Sequence, residues 1–349
     1  MAQTIKVAID GMGGDNAPDM IIGGIELACK RLNDVEFLLF GDEVLLRPLL
    51  NAHAEAKSVC EIRHTDEAIT AEEKPTVALR SGKNSSMRLA IDAVKSGEAA
   101  ALISAGNTGA LMAMATVVLR TLPGIDRPAI AASLPTERSQ TVLLDLGANI
   151  DCSADNLVQF AVMGEVYARA ELGLAQPSIG ILNVGAEVLK GNDAVKEAST
   201  ILQSSDLPIS FYGFVEGDDI AKGTVDVIVT DGFTGNVALK TAEGAVAMFI
   251  HHLRGALTSS LITKIGTLLV RPALNIVRNK FDPRRYNGAM LVGLNGICIK
   301  SHGGTDALGF SNAVNVAVNL VRRDFNEVIK EDLSRVMKND QPELRSAVN

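Results

Sequence analysis

The sequence lacks the features that mark several large classes of protein. It contains no tryptophan and only 4% aromatic residues, whereas proteins that bind single-stranded nucleic acid stack the bases on aromatic side chains. Its net charge of −8 also lacks the basic excess that holds a phosphate backbone. No uninterrupted apolar run reaches the ~20 residues of a membrane-spanning helix. These absences argue against a nucleic-acid-binding protein and against a protein that crosses a membrane.

Cysteine is also scarce, and the four residues present follow no binding pattern. Cys29, Cys60, Cys152 and Cys298 show neither a CxxC pair nor the spacing of metal ligands, which is typical of reduced thiols in a cytosolic protein. The N-terminus begins directly with a strand pattern, without the apolar segment of a signal peptide. We therefore expect a cytoplasmic protein that needs no metal or other cofactor.

The sequence does contain a regular alternation of short apolar runs and helical patterns. The chain has 349 residues, 47% of them hydrophobic and 21% charged, which is ordinary for a soluble globular protein. Runs such as AALIS (100–104) and VDVIV (225–229) are typical of strands buried on both faces of a parallel sheet. The alternation predicts an α/β protein with three α/β/α layers and a mainly parallel sheet. We expect a single domain over residues 1–340.

Six joins between a strand and the following helix are rich in Gly, Asn, Asp and Thr. Glycine lets the backbone approach a ligand closely, and the first N–H groups of a helix have no intrahelical partner, so each join is a potential anion site. Ordinary turn chemistry would explain any single join, but six together indicate a cleft that handles phosphate. We expect all six on one side of the sheet, beyond the carboxyl ends of the strands. The joins are IDGMGGDNAP (9–18), ISAGNTGA (103–110), LDLGANID (144–151), LNVGAEVLKGN (182–192), VTDGFTGNVALK (229–240) and IKSHGGTDALG (299–309).

Two segments depart from this alternation. Residues 66–88 are polar, charged and interrupted by proline, and we expect a surface segment that folds over the cleft. Residues 244–288 carry an apolar stripe at three- and four-residue spacing, with basic side chains and no acid between Glu243 and Asp282. This pattern predicts an inserted amphipathic helical hairpin. Its partner is left open: an anionic membrane surface, an acidic protein or a sister subunit.

Nine blocks spread over nearly the full length carry a resemblance to a known family. They are DGMGGDNAP (10–18), KNSSMRLA (83–90), SAGNTGA (104–110), DLGANID (145–151), NVGAEVLKG (183–191), VEGDDI (215–220), VTDGFTGNVALK (229–240), YNGAMLVGLNG (286–296) and KSHGG (300–304). In this order they resemble the signature blocks of the PlsX family of bacterial phosphate acyltransferases. The resemblance implies transfer of a long-chain acyl group from acyl carrier protein, or less readily from coenzyme A, to inorganic phosphate. The acyl phosphate would then supply a glycerol-3-phosphate acyltransferase in phospholipid synthesis.

The resemblance also implies a fold and an assembly. The fold would be the one that phosphotransacetylases share with the isocitrate and isopropylmalate dehydrogenases. The protein would be a homodimer that attaches reversibly to the inner face of the cell membrane. Two alternatives stay open: a phosphotransacetylase that acts on acyl-coenzyme A, and a noncatalytic scaffold that binds lipid or carrier. A dehydrogenase is disfavoured, because the first strand lacks the GxGxxG pattern of dinucleotide binding.

The implied chemistry needs no nucleophile from the protein. The sequence has no GxSxG elbow and only five histidines, whereas phosphate is itself largely dianionic near neutral pH, since its second pKa is about 6 to 7. The leaving thiolate, with a pKa near ~8.5, needs little acid assistance. The protein must then position the reactants and stabilise the oxyanion. We expect Lys190 to bind phosphate or the oxyanion, and Asn236 to donate a hydrogen bond to the thioester oxygen.

Other residues of the same blocks are candidate ligands of phosphate or of the carrier's phosphopantetheine. The candidate substrate-binding residues are Asp10, Gly13, Gly14, Asp15, Asn16, Lys83, Ser85, Ser86, Arg88, Asn107, Thr108, Asp231, Thr234 and His302. Among them, Asp231 is a candidate for orienting Asn236 or Lys190, and His302 a candidate proton carrier. Because acyl carrier protein is acidic, it must dock on a local basic patch. The candidate docking or membrane residues are Arg271, Arg278, Lys280, Arg284 and Arg285.

Overall fold

One eleven-stranded sheet organises the structure, a computed structural model that describes residues 4–205, 207 and 209–331. The strand order across the sheet is β3-β2-β1-β4-β11-β10-β5-β6-β9-β7-β8. Residues 332–340 of the predicted domain lie outside the described residues. The strands are β1 (Ile5–Asp10), β2 (Val35–Gly41), β3 (Cys60–His64), β4 (Ala101–Ser104), β5 (Ala129–Pro135), β6 (Gln140–Leu144), β7 (Ser178–Leu182), β8 (Ser210–Val215), β9 (Val227–Val229), β10 (Ala289–Val292) and β11 (Ile297–Lys300).

Helices cover both faces of this sheet. Two separate apolar cores, one on each face, explain why β4 and β9 read as continuous apolar runs and are buried throughout. The predicted three-layer α/β/α fold is therefore confirmed. The helices are α1 (Asp19–Cys29), α2 (Glu43–Ala52), α3 (Ala54–Val59), α4 (Pro75–Ser81), α5 (Ser86–Lys95), α6 (Thr108–Leu119), α7 (Ala154–Leu172), α8 (Asp193–Ser204), α9 (Gly217–Lys222), α10 (Gly232–Leu257), α11 (Leu261–Lys280) and α12 (Ala307–Arg322).

The sheet is mainly parallel, but its two halves run in opposite directions. Seven strand pairs are parallel. Three consecutive pairs in the centre are antiparallel: β11 with β10, β10 with β5, and β5 with β6. Three reversals leave β6, β9, β7 and β8 antiparallel to β3, β2, β1, β4 and β11. The strands of the two halves therefore end in opposite directions.

The two halves are also staggered along the strand axis. A single row of register partners crosses all eleven strands. In both halves, the strands that precede the six joins end at this row or one residue beyond it. The joins of one half leave on one side of the row, and the joins of the other half leave on the opposite side. The row consists of Ile62, Leu39, Ile9, Ile103, Ile299, Met290, Ala131, Leu144, Val229, Ile181 and Phe214.

This arrangement divides the six joins into two groups, which leave the same row of residues in opposite directions. The joins after β1, β4 and β11 form what we name the first cleft, and the joins after β6, β7 and β9 form the second cleft. Each join does lie at the carboxyl end of its strand, as predicted. The antiparallel pairings in the centre of the sheet reverse the second half, so the two groups of joins approach the same row from opposite directions, and the expectation of one cleft stays a prediction.

The helical hairpin, formed by α10 and α11, begins earlier than predicted. Its first helix starts at Gly232, within the DGFTGN motif, and continues into the inserted segment that was predicted from residue 244. Beyond that turn neither helix has a buried residue, so the hairpin projects from the domain. Among the described helices, no single one is long and apolar enough to span a membrane. The α10–α11 pair meets that length and composition only jointly, with a bend of 119° between the helices.

Candidate active site

Three strand ends place polar side chains next to one another at the floor of the first cleft. Asp10 ends β1, Ser104 ends β4 and Lys300 ends β11, and Ser104 and Lys300 are register partners. The buried Asp10 carboxylate accepts hydrogen bonds of 2.6 Å from the hydroxyls of Ser86 and Ser104. Burial raises the pKa of Asp10 above its ordinary value, although both serine hydrogen bonds oppose that shift. Asp10 is thus a structural carboxylate that fixes α5 and β4 around the cleft.

Glycines allow the joins of the first cleft to touch. A Cβ atom on Gly13 would lie 2.5 Å from Asp10 Oδ2 and 2.7 Å from the amide nitrogen of Gly106. Gly14 has a φ of +115°, a conformation that other residues rarely adopt. The Asp15 amide donates to the carbonyl oxygen of Gly303 at 2.9 Å. The loops after β1, β4 and β11 therefore form one continuous backbone surface.

Several side chains predicted to bind substrate build the wall of the first cleft. Asn16 donates through Nδ2 to the Thr305 carbonyl. Ser85 caps α5 by accepting from the Arg88 amide, and the Arg88 guanidinium pairs with Asp92. The Nδ1 atom of His302 accepts from the Gly304 amide at 3.0 Å. These atoms are therefore already hydrogen-bonded or ion-paired within the protein.

Asn107 joins the wall to the polar segment 66–88. Its Oδ1 atom caps α6 by accepting from the Ala110 amide at 3.1 Å. Its Nδ2 atom donates to the carbonyl oxygens of Thr70, Ala71 and Glu73. The segment thus lies against the start of α6, at the side of the first cleft. Thr108 and Lys83, two other candidate ligands, are exposed.

The second cleft contains Asn236, on the first turn of α10. Its side chain is exposed and makes no hydrogen bond with any residue that the structure describes. The carboxamide carbon lies 3.6 Å from the position that a Cβ atom on Gly147 would occupy. Asp231 accepts from the Thr234 amide at 2.7 Å and from its hydroxyl at 2.9 Å. Asp231 and Thr234 therefore cap α10, and Asn236 lies on the turn that they cap. Asp231 has no hydrogen bond to Asn236 or Lys190.

Asp145, which the sequence did not single out, organises the loop beneath Asn236. Its buried carboxylate accepts hydrogen bonds of 2.7–3.1 Å from the amides of Ile130, Gly147, Ala148 and Asn149, and one from the Asn149 side chain. A buried charge with this many donors is stabilised in place. The DLG motif was visible in the sequence, but the inward direction of its aspartate was not.

Lys190 lies in the loop after β7, the strand next to β9, so it belongs to the same cleft as Asn236. Asn183 closes this loop by donating through Nδ2 to the carbonyl oxygens of Gly185 and Lys190 at 3.1 Å. The Lys190 ammonium pairs with Glu187 at 2.8 Å, and this hydrogen bond raises the pKa of Lys190. Because both side chains are at least half exposed, the pair contributes little stability and can open to an anion.

A cavity of about 220 Å³ lies in the second cleft, beside the start of α8 and the first turn of α10. Asp231, Phe233 and Cys152 line the cavity. Phe233 is 62% exposed, and Leu189, beside Lys190, is 91% exposed. Burial raises the pKa of Cys152 to about 11, so it is a protonated thiol at neutral pH. The second cleft therefore offers an amide, a cation and apolar surface, but no activated cysteine.

The structure separates the predicted site residues into two groups. Lys190, Asn236, Asp231 and Thr234 lie in the second cleft, and the remaining candidates lie in or beside the first. The ends of β11 and β6 are three strand spacings apart, or about 14 Å. Among the described residues, no group of three or more His, Cys, Asp and Glu side chains is arranged to hold a metal ion.

Four of the five candidate docking residues are exposed, and the fifth, Arg284, is held in ion pairs. Arg271 and Arg278 lie on α11, and Lys280 ends it. Arg285 is also exposed in the following 3₁₀ turn. In contrast, Arg284 pairs with Asp282 at 2.6 Å and with Asp306 at 2.8 Å. The basic patch on the hairpin is therefore narrower than predicted.

Comparisons with known proteins agree on one family. The chain matches the model of a family described as fatty acid synthesis protein over residues 5–328. It is 59% identical over 336 residues to the phosphate acyltransferases of Rhodospirillum rubrum and of Paramagnetospirillum magneticum, with 96% of each chain covered in both cases. A solved phosphotransacetylase from Streptococcus pyogenes shares the fold, with a TM-score of 0.62 at 17% identity, over 93% of this chain and 95% of that one.

Proposed function

Because the chain belongs to the fatty acid synthesis protein family, the PlsX family of phosphate acyltransferases, and is an enzyme that transfers an acyl group to phosphate, we propose that its donor is a long-chain acyl carrier protein. The acyl phosphate product would serve phospholipid synthesis. The observation that supports this proposal is the second cleft. There the carboxamide of Asn236, which has no hydrogen-bond partner among the described residues, and the ammonium of Lys190 stand beside exposed apolar side chains. Such a surface suits a thioester whose acyl chain is long.

The reaction would proceed without a covalent enzyme intermediate. A phosphate oxygen forms a bond to the thioester carbonyl carbon, the C–S bond breaks, and the thiolate leaves with the electron pair and takes a proton from solvent. Lys190 would neutralise phosphate charge, and Asn236 would donate to the oxyanion. The raised pKa of Cys152 supports this direct route, since a protonated thiol is a poor nucleophile.

The donor is tested by direct product analysis. Purified protein incubated with palmitoyl carrier protein and phosphate, without added metal or nucleotide, should yield palmitoyl phosphate and free carrier. A parallel reaction with palmitoyl-coenzyme A should be slower at equal donor concentration. Faster turnover of the coenzyme A ester would favour the phosphotransacetylase alternative, and no turnover of either donor would favour a noncatalytic scaffold. A competent acyl-enzyme intermediate would contradict direct attack.

We propose that the exposed bases of α11 receive the acidic carrier. Reversing the charge of Arg271 and Arg278 should raise the KM for acyl carrier protein about tenfold and leave the KM for phosphate unchanged, because the patch acts on docking and not on the anion cleft. Steady-state kinetics in each substrate measure both constants. The matched control is the double reversal of Lys30 and Arg31, two exposed bases at the far end of α1. Equal changes in both KM values would refute the docking role.

We further propose that the hairpin serves as a contact with the inner face of the cell membrane and with a second copy of the chain. Its exposed apolar side chains include Leu261, Ile262, Leu268 and Leu269, each at least 66% exposed. Apolar surface of this extent beside basic side chains favours an anionic lipid surface or another protein. Sedimentation with anionic vesicles tests the membrane contact, and analytical ultracentrifugation without lipid tests the homodimer.

A further inference from the structure

An arginine that lies outside the nine sequence blocks borders the second cleft. Arg127 belongs to the segment PGIDRPA (123–129), which leads into β5, and its side chain is exposed. It makes no hydrogen bond or ion pair with any residue that the structure describes. Exposed arginines are common on protein surfaces, so the case for a function depends on where the fold holds this one.

Both neighbours of Arg127 are fixed by hydrogen bonds to α7 and to the loop after β6. Asp126 exchanges two hydrogen bonds of 3.0 Å with the Gln159 side chain on α7, one through its amide and one through its carboxylate. The Pro128 carbonyl oxygen accepts from Asn149 Nδ2 at 2.8 Å. A residue that precedes proline is also restricted to extended backbone conformations. The backbone at Arg127 is therefore held in place, and its side chain alone is left to adjust to a ligand.

Asn149 connects this position to the residues proposed to act on the substrate. Its side chain also donates to the Asp145 carboxylate at 2.9 Å. Its carbonyl oxygen accepts at 2.7 Å from the amide of Gly232, the first residue of α10. Asn236 lies one turn further along that helix. Arg127 and Asn236 are therefore both attached to the loop that Asp145 organises.

The charge of Arg127 reaches the cavity of the second cleft. It acts on the Cys152 thiol, which lines the cavity, and opposes the rise in pKa that burial, Asp145 and Asp231 cause there. Both carboxylates are already engaged, Asp145 by the amides of its own loop and Asp231 by the first turn of α10. Asp151, which also lines the cavity, is exposed and makes no ion pair with Arg127. The guanidinium is therefore available to an anion.

The proposed reaction needs more positive charge in the second cleft than Lys190 supplies. Phosphate is largely dianionic near neutral pH, so one ammonium neutralises only half of its charge. A guanidinium can donate two parallel hydrogen bonds to phosphate oxygens, a geometry that an ammonium lacks. We propose that Arg127 binds the attacking orthophosphate together with Lys190 and holds it against the thioester carbonyl carbon beside Asn236. The inference rests on the proposed function and adds a second cation to its site.

Steady-state kinetics in each substrate test this assignment. Arg127→Ala should raise the KM for phosphate about tenfold or more, since hydrogen bonds from a charged group are lost, and should change the KM for palmitoyl carrier protein by less than about twofold. Arg127→Lys keeps the charge without the fork and should raise the KM for phosphate less. Guanidinium ion, added at constant ionic strength, should restore part of the loss in Arg127→Ala. The matched control is Arg31→Ala, which removes an exposed arginine just beyond α1, in the other half of the sheet, and should change neither KM.

A binding measurement separates this inference from the proposed function. Inorganic phosphate should raise the Tm of the wild-type protein, and the Kd obtained from that shift should rise about tenfold in Arg127→Ala. An unchanged KM and Kd for phosphate would overturn the inference, and so would a rise in the KM for the carrier alone, which would make Arg127 a docking residue. If wild-type protein shows phosphate binding that depends on Arg127 but forms no acyl phosphate, the proposed function fails and the phosphate site remains.

Discussion

Replacing Asn236 or Lys190 by alanine is expected to lower kcat/KM by about a hundredfold to a thousandfold. Removing one donor to a developing oxyanion has an effect of this size, because the charge appears only in the transition state. The loss should be mainly in kcat for Asn236→Ala, whose carboxamide has no other partner among the described residues. For Lys190→Ala, the KM for phosphate should rise as well. Initial rates of acyl phosphate formation measure both constants.

A matched lysine shows whether the effect is specific. Lys196 pairs with Asp193 at 2.9 Å in the same i,i+3 arrangement that joins Lys190 to Glu187 at 2.8 Å. It lies on the first turn of α8, outside the loop after β7. Lys196→Ala should therefore change kcat/KM by less than about twofold. Undiminished turnover in the double variant of Lys190 and Asn236 would show that the chemistry takes place elsewhere, and the first cleft would then be the obvious candidate.

Gly235→Ala should be the most damaging single methyl group added to this protein. A Cβ atom at that position would lie 1.9 Å from the carbonyl oxygen of Asp145, and backbone atoms cannot move aside as a flexible side chain can. The first turn of α10 must then shift away from the loop that Asp145 organises. We expect a loss of about 2 to 3 kcal/mol in the free energy of unfolding. Because Asn236 is the next residue, kcat should fall by about tenfold to a hundredfold.

The same helix provides the control for this substitution. Gly244 also lies within α10, but a Cβ atom there would meet no atom within 4 Å. Gly244→Ala should raise the stability of α10 by up to about 1 kcal/mol, since alanine loses less conformational entropy in a helix. Denaturant unfolding gives both free energies, and the product assay gives both kcat values. Equal activity of the two variants would contradict the view that the Asp145 loop positions Asn236.

The alternating sequence pattern identified the central strands because they are apolar on both faces. The sequence pattern did not identify several elements at the edge of the sheet and on the surface, because few of their side chains are buried. β3, with the sequence CEIRH, is an edge strand whose side chains are only partly covered, so its polar residues gave no strand pattern. Similarly, α4 lies in the charged segment 66–88 and has one buried residue, Ala78. Such elements are stabilised by the elements that pack beside them, and their own sequences show little apolar periodicity.

The candidate site shows the same division. The sequence identified the joins that contain Asn236, Lys190 and Asn107, because glycine and asparagine mark turns at helix starts. It did not identify Lys300 or Asp145 as important, since whether a charged side chain points inward depends on the strands beside it.

The sequence by itself determined the fold class, the positions of the six joins and the family, because these follow from local periodicity, turn chemistry and the order of short motifs. Only the tertiary structure decided in which direction each join leaves the sheet. Three antiparallel pairings in the centre of the sheet reverse half of the strands, and pairing between strands distant in sequence is not encoded in any single segment. Burial, which lowers the pKa of Lys300, is likewise a property of the assembled sheet.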